Sequence, residues 1–194
     1  MESWKIKDKI LEFDPETHTY LVEGIIVPSV TQMMKPNFAD MYSGIDKETL
    51  NAAARRGTEI HKWIEEYCQD GKHSEEREVK DFAFLKKHYE FEVFGNEIPV
   101  IGEIGGRTYA GRLDLLLVFG EDEMAVVDIK TTSSLNKEYL GLQLNLYRIA
   151  VQQSYGYDIR RLYGLHLRNG TRKMVEIPVK EEKWLEESLM FPEV

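Results

Sequence analysis

The chain has 194 residues, a formal net charge of −9 and one cysteine, Cys68. A lone cysteine excludes an internal disulfide framework and any multi-cysteine zinc or iron–sulfur site built within the chain, so a bound metal would take carboxylates and histidine as ligands. The acidic balance argues against broad, nonspecific polyanion binding. No run of eighteen apolar residues offers a membrane span, and the length suits one domain over 1–194 in a soluble, cytoplasmic protein. Arg55-Arg56, Lys86-Lys87, Arg107, Arg112, Lys137, Arg148, Arg160-Arg161, Arg168 and Arg172-Lys173 are numerous enough to build a local basic path.

In chain order, Ile10 to Phe13 and Tyr20 to Ile26 read as two strands joined by the polar turn Asp14-Pro15-Glu16-Thr17-His18, predicting an N-terminal hairpin over about 8–28. Pro28-Ser29 then starts a short helix that Pro36 ends. Residues 47–69 read as helical with an interruption at Gly57-Thr58, followed by Ile60, Ile64, Tyr67 and Cys68 at helical spacing. A third helix is predicted over 75–94, burying Val79, Phe82 and Tyr89.

The period then changes. Strands are predicted over 98–104, 107–119, 124–131, 160–167 and 173–179, with a helix over 136–155 closed by Gly156 and a last helix over 181–189. This order predicts an α/β fold with a mixed central β-sheet flanked by helices.

Asp128-Ile129-Lys130 ends the apolar run Ala125-Val126-Val127, and alternation along a strand puts Asp128 and Lys130 on one face. A carboxylate beside an ammonium on a buried sheet is expensive unless something requires it. The same acid-any-Lys pattern at Asp70-Gly71-Lys72, Glu78-Val79-Lys80 and Glu181-Glu182-Lys183 lies in a polar turn or helical, charge-rich surroundings, where a solvated face suffices.

Asp114 lies on the preceding strand, across the turn Gly120-Glu121-Asp122-Glu123, so the two aspartates are expected on neighbouring antiparallel strands. Two facing carboxylates repel unless a cation lies between them, and hard oxygen ligands of this kind suit Mg²⁺ or Mn²⁺. Lys130 would then hold a water or hydroxide near a scissile phosphate. His61 borders the apolar positions Ile60 and Ile64, and Gln143 and Tyr147 share a helix face at i, i+4.

Taken in order, these residues resemble the PD-(D/E)XK nuclease superfamily, and within it the RecB-like exonuclease branch of phage and prophage type. The matching segments are Gly57-Thr58-Glu59-Ile60-His61, Gly111-Arg112-Leu113-Asp114, Val127-Asp128-Ile129-Lys130-Thr131 and Gln143-Leu144-Asn145-Leu146-Tyr147. His18-Thr19-Tyr20 with Val27-Pro28-Ser29-Val30-Thr31 is similar to the N-terminal hairpin of such members.

The resemblance implies a restriction-endonuclease-like core and a Mg²⁺- or Mn²⁺-dependent DNA exonuclease of recombination, repair or phage DNA processing. It implies metal ligation by His61, Asp114, Asp128 and the main-chain carbonyl of Ile129, with Asp114, Asp128 and Lys130 catalytic. Gln143 and Tyr147 would stand near the DNA or support the site, and Arg112 joins them as a substrate contact. An upstream glutamate is also implied; Glu103 is assigned to the metal, with Glu97 competing for the place. Four-cysteine members bind an iron–sulfur cluster, which Cys68 alone excludes here. Ring formation, or a recombination or repair protein as partner, would let the chain borrow DNA contacts. The rival expectation is an inactive nucleic-acid-binding or assembly module, yet such members lose an acid or the lysine, and Asp114, Asp128 and Lys130 are all present.

Overall fold

A computed structural model describes residues 1–72, 74–168 and 170–189. Its centre is a five-stranded sheet in the order β5 (Phe91–Ile104), β6 (Arg107–Phe119), β7 (Glu123–Lys130), β8 (Ile159–Arg168) and β9 (Thr171–Ile177). Every neighbouring pair is antiparallel except β7 and β8, which run parallel. A parallel pair needs a crossover, and helix α4 (Lys137–Tyr155) supplies it. Both ends of α4 are specified locally: the Asn136 side chain accepts the Tyr139 N–H, and Gly156 closes the helix at φ +77°.

The apolar runs of β6 and β7 are continuous because both faces of the sheet are covered. Leu116 and Val126 join the core beneath α4, α1 (Val30–Met34) and α5 (Glu182–Ser188). Leu115, Leu117, Ala125 and Val127 face the opposite core, formed with α2 (Lys47–Asp70) and α3 (Arg77–Tyr89). Among the described residues, no helix is long and apolar enough to cross a membrane.

Several predicted boundaries move, each for a local reason. Helix α2 runs unbroken through Gly57-Thr58. Gly57 serves close approach there, since a Cβ would stand 3.2 Å from Thr131 Oγ1 at the end of β7, while Thr58 Oγ1 bonds back to the Ala54 carbonyl. Helix α3 stops at Tyr89, which is exposed, because Glu90 turns left-handed at φ +53° and Phe91 opens β5. The aromatic spacing of Phe82, Tyr89, Phe91 and Phe94 suits either period, and burial of Phe91 against Phe82 decides for the strand.

The N-terminal hairpin is part of a larger unit, a four-stranded antiparallel sheet of β1 (Glu2–Ile6), β2 (Lys9–Asp14), β3 (Thr19–Val22) and β4 (Ile25–Val27). Left-handed Glu23 (φ +52°) and Gly24 (φ +75°) reverse the chain and divide the predicted second strand. This sheet packs Leu11, Phe13, Tyr20 and Val27 against Ile101 of β5 and Ala110 of β6. Its exit is pinned where the Ala110 N–H donates to the Pro28 carbonyl (3.0 Å) and Ser29 forms a capping box with Gln32 at the start of α1.

Gly164 of β8 stands beside Asp128 in register, and a Cβ there would lie 2.3 Å from Leu140 Cδ2 of α4. Leu140 is fully buried and has nowhere to retreat. Gly164→Ala should therefore lower stability by roughly 1–3 kcal/mol, the usual penalty of overpacking, read as an earlier midpoint in urea unfolding. An unchanged midpoint would show that α4 does not rest on this glycine.

Candidate active site

β6 and β7 are paired only as far as Leu115 and Val127. Beyond that point β6 continues towards the N-terminal sheet and β7 stays with β8. The Ile129 N–H, left without a partner strand on that side, donates to Asp114 Oδ2 at 2.7 Å. A side-chain carboxylate thus replaces the missing ladder acceptor, which fixes Asp114 at the mouth of the divergence.

A cavity of about 470 Å³ opens there, lined by His61, Glu97, Asp114, Asp128, Ile129 and Lys130 among others. His61 reaches it from α2, one turn beyond Gly57, and packs its ring between two acceptors: Nε2 is 3.1 Å from the Ile129 carbonyl and Nδ1 is 3.5 Å from Asp114 Oδ1. His61, Glu97 and Asp114 each offer a ligand atom, and those atoms lie within 4.8 Å of one another. Asp128 borders the same cavity with Oδ2 2.6 Å from Lys130 Nζ, and Lys130 also donates to Gln143 Oε1 of α4 at 2.9 Å.

The electrostatics follow from this crowding. Burial disfavours the charged ring of His61, but Asp114, by charge and hydrogen bond, with Asp128 and Glu97 outweighs it and lifts the ring to about 9. Burial raises the Asp114 carboxyl, yet the charge and hydrogen bond of His61, Lys130 and the Ile129 N–H carry it below the ordinary value. Asp128 goes the other way: burial, with repulsion from Asp114, exceeds the help of Lys130 and leaves it raised. Burial and Asp114 push Glu97 up to about 7 against the opposing Arg112 and His61. For Lys130, burial is overcome by Asp128 and Asp114, so it is held as an ammonium.

The donor set fits a hard divalent cation. Three carboxylates and an imidazole share one cavity, and the charged His61 already bridges Asp114 and the Ile129 carbonyl in the manner of a positive ion. Among the described residues, His61, Glu97 and Asp114 are the groups whose ligand atoms stand together to hold it, while Asp128, paired with Lys130, and the Ile129 carbonyl, engaged by His61, border the same cavity.

Other expected residues are placed differently. Glu103 lies outside the cavity: it pairs with Thr108, whereas Glu97 falls level with Asp114 between the Asn96–Leu115 and Ile98–Leu113 pairs. Six residues of strand put Glu103 about 20 Å along the sheet. Its backbone is engaged there by Gln153 of α4. Glu97, the competitor for that place, is therefore the glutamate of the cluster, and the assignment of Glu103 is corrected.

Arg112 is occupied by Glu97 and Glu2. The Tyr147 hydroxyl donates to the Arg112 carbonyl at 2.9 Å, and Gly111 permits that approach, since a Cβ would meet the Tyr147 ring at 3.0 Å. Part of the basic path is engaged within the chain: Arg56, Lys86, Arg160, Arg161 and Arg172 each pair with a carboxylate. Phe13, His18, Tyr20 and Thr31 form a wall of the cavity that sequence spacing did not flag as part of the site.

The raised His61 value gives a signed pH dependence. With a folded value of about 9 against an ordinary 6.5, the stabilisation is complete below 6.5 and is lost as pH climbs through 9. Glu97, raised from 4.5 to about 7, acts in the same sense over a lower window. In chelator, the thermal midpoint should fall between pH 5 and pH 9.5. Added Mn²⁺ should raise the midpoint most at the alkaline end, because a cation competes with the His61 proton. A midpoint that rises with pH in chelator would refute this charge arrangement.

A model of the PD-(D/E)XK nuclease superfamily matches residues 82–188. Similar solved structures include SSO0001, at 16% identity over 84% of this chain and 72% of that one with a TM-score of 0.48. A candidate exonuclease from Eubacterium rectale is 11% identical over 85% of this chain and 70% of that one, with a TM-score of 0.40. No match was found among curated proteins. With the family model covering more than half of the 194 residues, the chain belongs to the PD-(D/E)XK nuclease superfamily.

Proposed function

We propose that this nuclease is a Mg²⁺- or Mn²⁺-dependent DNA exonuclease that hydrolyses phosphodiester bonds in recombination, repair or phage DNA processing. The observation that carries the reading is the meeting of Asp114, Asp128, Lys130, His61 and Glu97 in one cavity at the parting of β6 and β7. The exonuclease assignment rests on the order of the RecB-like segments around Gly57–His61 and Gln143–Tyr147.

A divalent cation supplies Lewis-acid charge, making a nearby water more acidic and offsetting the negative charge that builds on the phosphate. The chain does the positioning. Asp114 is aimed by the Ile129 N–H and His61, so its carboxylate is set before any ligand arrives. Lys130 spends two donors on Asp128 and Gln143, leaving a third for a water or a phosphate oxygen. Held between Asp128 and Gln143, Lys130 is placed to orient a water or a phosphate oxygen. Gln143 fixes that ammonium, and Tyr147 braces β6 behind Asp114.

Purified protein with Mn²⁺ should degrade linear DNA and spare covalently closed circles. Asp128→Asn and Lys130→Ala should each reduce the rate by at least about 100-fold, the scale of removing one preorganised charge from a phosphoryl or acyl transition state. Asp128→Asn at the wild-type rate would sink the catalytic assignment. Closed circles cut as fast as linear DNA would make the protein an endonuclease.

A further inference from the structure

Arg112 occupies an unusual place for a basic residue beside a nucleic-acid cleft. Its Nε lies 3.2 Å from the Glu97 carboxylate and its Nη1 3.1 Å from that of Glu2, on the first strand of the chain. The guanidinium also stands 5.9 Å from the ring centres of both Trp4 and Phe13. The N-terminal sheet therefore grips one side of the guanidinium and Glu97 the other. Glu97 itself sits at φ +48°, in the left-handed region that residues with a Cβ seldom adopt. Such a conformation persists only where the surroundings over-determine it.

We propose that Arg112 is a positioning residue for the metal centre: anchored to the N-terminal sheet by Glu2, Trp4 and Phe13, it fixes the Glu97 carboxylate beside His61 and Asp114. The inference rests on the metal-dependent reading above and extends it to Glu2, Trp4 and Phe13 of the N-terminal sheet. β1 and β2 thereby become part of the metal site, although neither supplies a ligand. The opposite effect is physically available, since an arginine can neutralise a carboxylate and weaken its hold on a cation. The geometry decides against it: the guanidinium divides itself between Glu97 and Glu2, and the Glu97 carboxylate still offers an atom within 4.8 Å of those of His61 and Asp114.

The test is Mn²⁺ titration by calorimetry on the full chain, with circular dichroism to verify folding. Arg112→Gln should weaken Mn²⁺ binding about 10- to 100-fold, the range for groups that orient a metal ligand. Glu2→Gln should weaken it in the same direction by less, and it guards against misfolding of the arginine variant. With Glu97 already replaced by Gln, adding Arg112→Gln should produce no further loss; a merely structural role would give the same loss in both backgrounds. Wild-type affinity or tighter in Arg112→Gln overturns the proposal while leaving the metal-dependent reading intact. Absence of Mn²⁺ binding by the unaltered protein overturns both.

Discussion

The parting of β6 from β7 after the Leu115–Val127 pair is the constraint on which the rest of the molecule depends, because it exposes backbone groups that must be satisfied by something other than a strand. The Ile129 N–H is satisfied by the Asp114 carboxylate and the Ile129 carbonyl by His61. Repairing the broken ladder with a titratable side chain on each side creates the cavity and places its charges at once. Elsewhere along β6 and β7 the apolar residues simply fill the two cores.

The charges so placed form an unbalanced set in which burial and Coulomb forces compete residue by residue. At His61 and Lys130 the neighbouring carboxylates win over desolvation, so both hold their protons. At Glu97 and Asp128 desolvation wins over the nearby cations, and both carboxyls are raised. Desolvating an ion costs several kcal/mol even after relaxation, so a fold retains such a cluster only where positive charge compensates it. The protein's own cations compensate part, and a divalent ion is the natural source of the remainder.

Precision at this site comes from supports that carry no chemistry. Gly57 lets α2 approach the end of β7, Gly164 lets α4 lie close to β8, and Gly111 admits the Tyr147 ring. These contacts bring a helix from each face of the sheet, and the N-terminal sheet through Arg112, to bear on one point. Displacing any of them would move a ligand or the ammonium by a fraction of the distances on which the chemistry depends.

Much of this was legible in the sequence, because hydrophobic period reports burial and a strand's alternation reports which side chains share a face. The central sheet, the α4 crossover, the antiparallel placing of Asp114 near Asp128, and the pairing of Asp128 with Lys130 follow from those local rules. Of the lookalike tripeptides, those at Asp70 and Glu181 lie exposed at helix ends, whereas Glu78, expected on a solvated face, is buried in α3 and held by Arg56. Four things were decided only by tertiary structure. Packing carried α2 through Gly57, and burial of Phe91 ended α3 early. Register chose Glu97 over Glu103, because the β5–β6 hairpin turns at Gly105-Gly106 and keeps one register from Ile104–Arg107 through Gly95–Leu116, which brings Glu97 level with Asp114. Long-range closure brought Glu2 and Trp4 to Arg112, across more than a hundred residues. Local physics writes the elements and the chemistry each can offer, but which offers meet is settled by how strands part and helices dock.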